Sequence, residues 1–518
     1  MPWRNDTGDV VAVQPLRAPG YLALALLGIA LAAGFLPVLW MGARQGAGAA
    51  DPYILRVLRF TLLQAGLSTL LSIIGGLLLA RALARRQAFP GRGFVLRLLN
   101  LPLALPSIVV IIGIIEVYGR KGWLGGAFSI YGLQGILLAH VFFNVPLAAR
   151  LLLAELERVP AESWKLAAQL GFQTADIWRV VEWPQLRAGL PGIALLIFLL
   201  CASSFAVVLT LGGGPGATTL EVAIYQALRA DFDPQRAVML ALVQFLLCGS
   251  LVLLAQRWGG LMGTRASGAT AARRYDARRG VAIIIDAGLI ALGLILLLPP
   301  LLAIIISGAS AIHADATLLR ASVTSLLLGS ASAAMAFLLA WPLAQLAARS
   351  DAWRRGSGLA VLAAWIVPPA VLATGWFITF IAHASSTALA ASLVVAMNGL
   401  MALPFVFQPL STAIAQAASA HDRLCLGLGL SGFGRFWQID LPALKRPIGL
   451  SLVMGLILSL GDLTAISLFG TQDFMTLPSL IYRQMGSYRF DAAVGTALIL
   501  GILVLALSSL SERWSRPR

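Results

Sequence analysis

A chain of 518 residues in which 59% are hydrophobic and 12% charged lies far outside the composition of soluble proteins. Its net charge of +16 invites a nucleic-acid reading, but the basic residues gather in alternate loops between apolar runs, which excludes a continuous binding face. Cys201, Cys248 and Cys425 stand far apart, with no disulfide or metal-ligand spacing.

Twelve apolar runs are long enough to cross a ~30 Å hydrocarbon layer. They fall at 21–41, 58–80, 95–118, 132–152, 188–211, 237–256, 281–307, 321–346, 358–382, 386–411, 447–470 and 492–511. Lipid offers the backbone no hydrogen-bond partner, so each run must be helical. The expected fold class is an all-α polytopic membrane protein of about 12 transmembrane helices. The run GAGAAD after the first span resembles a signal-peptidase site. The apolar stretch before it exceeds the roughly 7–15 residues of a signal peptide, so it is read as a retained anchor.

With the N-terminus in the cytosol, most of the 38 Lys and Arg fall on the cytosolic side. Arg81, Arg85, Arg86, Arg92 and Arg97 share one inside loop; Arg257, Arg265, Arg273, Arg274, Arg278 and Arg279 share another. This positive-inside asymmetry places both termini in the cytosol.

Between spans four and five the chain reads KLAAQLGFQTADIWRVVEWPQL from Lys165. Between spans ten and eleven it reads RLCLGLGLSGFGRFWQIDLPAL from Arg423, 258 positions later. Gly171 matches Gly429, Val181 matches Ile439, and Pro184 matches Pro442. Thr219 and Tyr225 match Thr476 and Tyr482, Pro146 matches Pro404, and PSIVVIIG from Pro106 resembles the stretch from Pro368 to Gly375. The chain therefore divides into a first six-span repeat (1–256), a Gly-, Ala-, Ser- and Arg-rich linker (257–280) and a second six-span repeat (281–518). An even number of spans gives the two repeats the same orientation, so the repeat is parallel.

In the first loop (156–187), Pro160 precedes a helical stretch that Gly171 ends. In the second (413–446), Ser419 and Asp422 offer capping oxygens and Gly429 the stop. Each loop is expected to hold a short surface helix, a glycine turn and a second helical piece leading to Pro184 or Pro442. An amphipathic surface helix gives no reason for a glycine-to-proline spacing kept twice; a docking element does.

The two loops resemble the EAA loop of ABC importer permeases, whose pattern is Glu-Ala-Ala, three residues, Gly, nine residues, Ile, one residue, Leu-Pro. Ala167, Gly171, Gly429, Ile439, Leu441 and Pro442 keep that pattern, while Lys165 and Arg423 stand where the family has Glu. The strings YGLQGILLAHVFFNVP (131–146), LGGGPGATTLEVAIYQAL (211–228), RAVMLALVQ (236–244) and ALKRP (443–447) resemble the fused permeases of bacterial thiamine importers. The resemblance implies a type I ABC importer permease fold in the bacterial inner membrane. It implies that the two loops couple to two copies of a cytosolic ATP-binding subunit and that a periplasmic thiamine-binding protein delivers substrate. ATP and magnesium would then sit on the partners, with no cofactor on this chain. The chain carries no G-x-x-x-x-G-K-[ST] motif; GGGPGATT lacks the lysine and lies on the outer side.

Asp462, well inside the eleventh span, fits two readings: a carboxylate lining the path of a cation, or one hydrogen-bonded between helices. Its repeat partner is Ser204. Trp376, with Trp123, Trp341 and Trp365, fits either an aromatic path for a flat heterocycle or interfacial anchoring. His140 reads as a packing residue, and Glu116 and Asp286 as residues near the interfaces. Glu221, Asp231 and Asp233 lie in an outer segment suited to a binding protein or to packing over the bundle. Two rival functions remain: a ferric-iron or other small-solute ABC importer permease, and a twelve-span secondary transporter needing no soluble partner. A membrane-embedded enzyme lacks a clustered set of catalytic side chains.

Overall fold

The computed structural model describes residues 18–45, 51–125, 130–212, 214, 216–257, 274, 280–312, 315–348, 350–380, 386–430, 432–470 and 474–515. The GAGAAD run before Asp51 and all of the 258–279 linker except Arg274 lie outside the described residues, as do the side chains of Trp365 and Arg423.

The described residues form helices throughout, ten of them long and apolar enough to cross a membrane and twelve when two bent pairs are each counted as a span. The first spans are α1 (Ala18–Gln45) and α2 (Pro52–Arg85). Asp51 starts α2 by accepting the Tyr53 backbone N–H at 2.8 Å, and Pro52 takes the first helical position, where its missing N–H costs nothing. The third span is bent. After α3 (Arg92–Leu98) and α4 (Leu101–Ala104) the chain turns by 111° into α5 (Ser107–Tyr118), at the point where Pro106 bars a continuous helix. The expected span at 95–118 is thus three short helices, bent before the last. α6 (Leu133–Glu157) follows, then α7 (Ala161–Gln169) and α8 (Thr174–Ile177) in the first loop.

The fifth span is broken as well: α9 (Trp183–Ala202) stops at Ser203–Ser204 and resumes as α10 (Phe205–Leu211). α11 (Leu220–Arg229) and α12 (Pro234–Arg257) follow. Next come α13 (Gly280–Ser310) and α14 (Ala316–Ala347). α15 (Asp351–Ile366) and α16 (Pro369–Phe380) form a second bent pair. α17 (Thr387–Gly427) runs unbroken for 41 residues through the tenth span and into the second loop. The expected N-cap at Ser419 or Asp422 is absent because the helix does not start there. The first loop has Pro160 at the boundary, where the second has Ala418 in an alanine-rich stretch that favours helix. After α18 (Gly432–Arg435) come α19 (Leu441–Leu460), α20 (Thr464–Phe469), α21 (Leu477–Gly486) and α22 (Phe490–Ser515).

The chain divides into two compact units whose boundaries fall inside α1, α14 and α22 and at the start of α21. The larger unit comprises Leu39–Leu319 and Leu477–Ile502. Its centre is the pairing of α2 with α6. Ser68, Ser72, Gly76 and Ala80 recur every fourth position and are buried, and a Cβ on Gly76 would strike Ala148 of α6. His140 sits in this contact, its Nδ1 3.0 Å from Ser68 Oγ, in keeping with a packing residue. Gln64 donates to the Cys201 carbonyl at 2.9 Å and Asn144 to its sulfur at 3.2 Å, tying the end of α9 to both helices. Asp286 of α13 is fully buried between Arg85 of α2 (3.0 Å) and Arg86 just beyond it (2.9 Å), so it is the centre of an internal ion-pair cluster near the ends of both helices. Glu221 is buried too, accepting from Gln244 at 2.7 Å, which removes it from the outer surface; Asp231 and Asp233 stay outside, paired with Arg236.

The smaller unit comprises Met1–Val38, Arg320–Thr476 and Leu503–Arg518. α16 crosses α1 so closely that a Cβ on Gly375 would overlap the backbone of Gly34. The Trp376 indole N–H donates to the Ala30 carbonyl at 3.1 Å. Asn398 of α17 donates to Ser459 of α19 at 2.9 Å.

Candidate functional site

The two repeated loops build the same backbone device. α7 ends in a Schellman turn: Phe172 N–H donates to the Ala167 carbonyl at 3.0 Å, and Gly171 N–H to Ala168 at 3.2 Å. Gly171 supplies the left-handed residue this turn needs, at φ +66°. In the second loop Leu430 N–H donates to the Cys425 carbonyl at 2.9 Å, and Gly429 has φ +64°. The side positions of both glycines are open space, so conformation and not crowding selects glycine.

Beyond each turn the helix widens. Residues 178–182 and 436–440 form single π-turns, closed by Trp183 N–H to the Trp178 carbonyl and Leu441 N–H to the Phe436 carbonyl. Pro184 and Pro442 explain them: each lacks the N–H for an i→i−4 bond, and its ring crowds the carbonyl four residues back. The thirteen-residue spacing from glycine to proline therefore encodes helix stop, π-turn and re-entry into a span.

Each π-turn ends on a buried acid that the sequence reading missed, Glu182 and its repeat partner Asp440. Glu182 is 0% exposed; its Oε2 accepts from Arg81 Nε at 2.8 Å and its Oε1 from Arg274 Nη2 at 2.6 Å. Asp440 is held from within its own loop by Arg435 at 3.4 Å, and Arg435 also donates to Asp422 at 2.6 Å. Burial would lower the Arg435 pKa, but the carboxylates of Asp422 and Asp440 outweigh it and raise the value above that of ordinary arginine. Under α7, Val159, Trp164 and Ile177 form a small core, with Phe172 and Val181 against it.

On the outward side of each loop lies an exposed leucine pair at i, i+4. Leu166 and Leu170 are 56% and 60% exposed; their repeat partners Leu424 and Leu428 are 51% and 60% exposed. Lys165 is exposed beside the first pair, Ala167 is buried beneath it, Pro184, Ile439 and Leu441 are half-buried, and Pro442 is exposed. The two loops thus present matched exposed leucine pairs at the same distance before the same glycine turn. Sequence spacing alone carried the signal: both pairs lie at fixed distances before the glycine.

Of the candidate path residues, Asp462 and Ser204 share one structural role. Each occupies the break between a long span helix and the short helix that continues it. Asp462 caps α20 with both oxygens, accepting from Thr464 N–H at 3.2 Å and Ala465 N–H at 2.8 Å. Ser204 opens α10 with no side-chain cap bond. Both are half-buried. Trp376 is 3% exposed and committed to α1, which is a packing position.

Residues 334–516 match the family described as binding-protein-dependent transport system inner membrane component. The chain is 43% identical to the thiamine transport system permease protein of Brucella abortus (strain 2308) over 543 aligned residues, covering 100% of this chain and 98% of that one. It is 44% identical to the protein of the same description from Escherichia coli (strain K12) over 521 residues, with 96% of each chain covered. It is 38% identical to that of Haemophilus influenzae over 476 residues, covering 88% and 87%. The sulfate transport system permease protein of Synechocystis is 30% identical over 213 residues, 39% of this chain and 77% of that protein.

Proposed function

The chain belongs to the thiamine transport system permease family, and from that premise we propose that it imports thiamine across the bacterial inner membrane, driven by ATP hydrolysis on separate subunits. A periplasmic binding protein delivers the substrate. Two copies of a cytosolic ATP-binding subunit dock on the loops at 156–187 and 413–446, and both termini lie in the cytosol. Lys165, Ala167, Gly171 and Pro184 in the first loop, and Arg423, Gly429, Ile439, Leu441 and Pro442 in the second, form the coupling elements. ATP and magnesium belong to the partners.

The observation that carries this reading is the duplicated module: a helix end with an exposed leucine pair, a left-handed glycine and a π-turn, built once per repeat. One chain therefore offers two docking sites. In this reading the leucine pairs are the apolar anchors and Lys165 lies at their rim, which leaves little work for the acidic residue the EAA pattern would supply. Changing Leu166, Leu170, Leu424 and Leu428 together to Asp is expected to abolish recovery of the ATP-binding subunit with the solubilised chain, while the chain still accumulates in the membrane. Full recovery with the quadruple variant would refute docking through these faces.

Asp462 and Ser204 mark helix breaks, the kind of broken-span geometry that brings polar groups to the middle of a membrane. We place a cation-favouring role on the Asp462 carboxylate in addition to its cap. Asn removes the charge and keeps one of the two cap acceptors, whereas Ala loses both, at about 1 kcal/mol of cap stabilisation. Asp462→Asn is therefore expected to lower radiolabelled thiamine uptake several-fold at an unchanged membrane level, and Asp462→Ala to lower both. Wild-type uptake by the Asn variant would leave the cap as its whole role.

A further inference from the structure

Glu182 is a buried carboxylate in a loop that supplies no cation for it. In the second loop the corresponding acid, Asp440, is served by Arg435. The first loop has Ile177 at that position, buried in the small core under α7. The missing positive charge comes from outside: Arg81 reaches in from α2, and Arg274 from the segment that joins the two repeats.

The two arginines do different things. Arg81 pairs with Glu182 and lies over the Trp178 ring, 4.5 Å from its centroid, so it braces the π-turn against α2. One guanidinium is enough to balance one carboxylate. Arg274 nonetheless has a side chain only 2% exposed, and it lies over the Trp164 ring at 4.1 Å while holding Glu182. Trp164 is the buried face of α7, the helix that presents Leu166 and Leu170. Arg274 thus joins both halves of the loop, the docking helix and the π-turn, through a charge-assisted bond on one side and an indole face on the other, adding to the small apolar core they share.

The geometry points to Arg274 as a positioning residue for coupling: this one side chain, from between the two sets of spans, is a working part of the first docking loop. This rests on the loop being a coupling element. It makes the two loops unequal. The second balances its π-turn acid with its own arginine, whereas the first draws both of its cations, Arg81 and Arg274, from outside the loop.

The test uses the complete transporter in proteoliposomes, reading thiamine taken up per ATP hydrolysed. Arg274→Ala is expected to cut that ratio on the order of tenfold while the ATP-binding subunit still co-purifies, since the exposed leucines remain. Arg274→Lys restores the charge but not the planar cover over Trp164, so it recovers less than half of the loss. Adding Trp164→Leu to Arg274→Ala lowers the ratio by less than the product of the two single defects, because the two side chains share one contact while Trp164 also packs the small core. An unchanged ratio in Arg274→Ala, complete rescue by lysine, or simple multiplication of the two defects would each overturn the assignment. Hydrogen exchange across 161–169 in the detergent-solubilised chain alone separates this claim from the coupling reading. Faster exchange in Arg274→Ala shows that Arg274 holds α7 whether or not any ATPase binds, and identical exchange refutes it.

Discussion

Replacing Gly171 and Gly429 together with valine is expected to abolish ATP-driven thiamine uptake and recovery of the ATP-binding subunit, with the chain still present in the membrane. Both glycines sit at φ near +65°, where an L side chain costs about 1–2 kcal/mol and a β-branched one more. No atom lies within 4 Å of either side position, so the penalty is conformational. To escape it, the chain must give up the Phe172-to-Ala167 or Leu430-to-Cys425 bond that closes the turn. The leucine pairs then lose their fixed direction relative to the π-turns. The membrane helices on either side do not depend on that bond, so expression survives. Asn tolerates the left-handed region and serves as the control: Gly171→Asn with Gly429→Asn should keep most of the uptake. Parallel uptake and pull-down assays decide it. Normal coupling in the valine pair would contradict the module, and equal loss with asparagine would assign the glycines to groove contact instead of turn geometry.

The second large effect is structural. Asp286→Ala is expected to lower the apparent unfolding temperature of the solubilised protein by roughly 10 °C and to reduce its membrane level. The carboxylate is fully buried and faces two guanidinium groups, Arg85 at 3.0 Å and Arg86 at 2.9 Å. Removing one partner of such a pair costs about 3–5 kcal/mol, because the remaining charge stays buried. At about 2–4 °C per kcal/mol the shift follows. Neutralising the cluster as a whole, with Arg85→Gln, Arg86→Gln and Asp286→Asn together, should recover much of the loss, since no lone charge remains. A thermal shift assay reads both. An Asp286→Ala protein as stable as the parent would mean that the ion pairs do not hold α13 to α2.

Residue patterns carried most of the architecture, and the reasons for the gaps are specific. Twelve apolar runs match ten long helices and two bent pairs, because burial in lipid leaves the backbone one solution. The bends and breaks were invisible to hydropathy: residues 188–211 and 447–470 read as unbroken apolar runs, yet the helices stop at Ser204 and Asp462. Polar residues within the apolar runs were the only hint, and of Ser204 and Asp462 only Asp462 caps the helix that follows. The glycine-to-proline spacing was legible, but its meaning was not, since a π-turn leaves no propensity signature of its own. Glu182, Asp440 and Arg274 were missed because each is defined by its partner. An acid in VVEWP reads as surface until Arg81 and Arg274 close over it. The partners of Asp286 were missed for the same reason: proximity to a span end gives its place along the helix, while Arg85 and Arg86 show that it is paired and buried. The helix expected to begin at Ser419 or Asp422 failed on a local contrast, Pro160 in one loop against Ala418 in the other.

The central claim is that this chain moves thiamine only as part of an ATP-driven complex, and reconstitution tests it most directly. Purified chain in proteoliposomes, with the ATP-binding subunit and the thiamine-binding protein supplied separately, is assayed for radiolabelled thiamine accumulation. The expected result is accumulation that needs both partners and hydrolysable ATP. Accumulation by the chain alone, driven by a proton or sodium gradient, would contradict it.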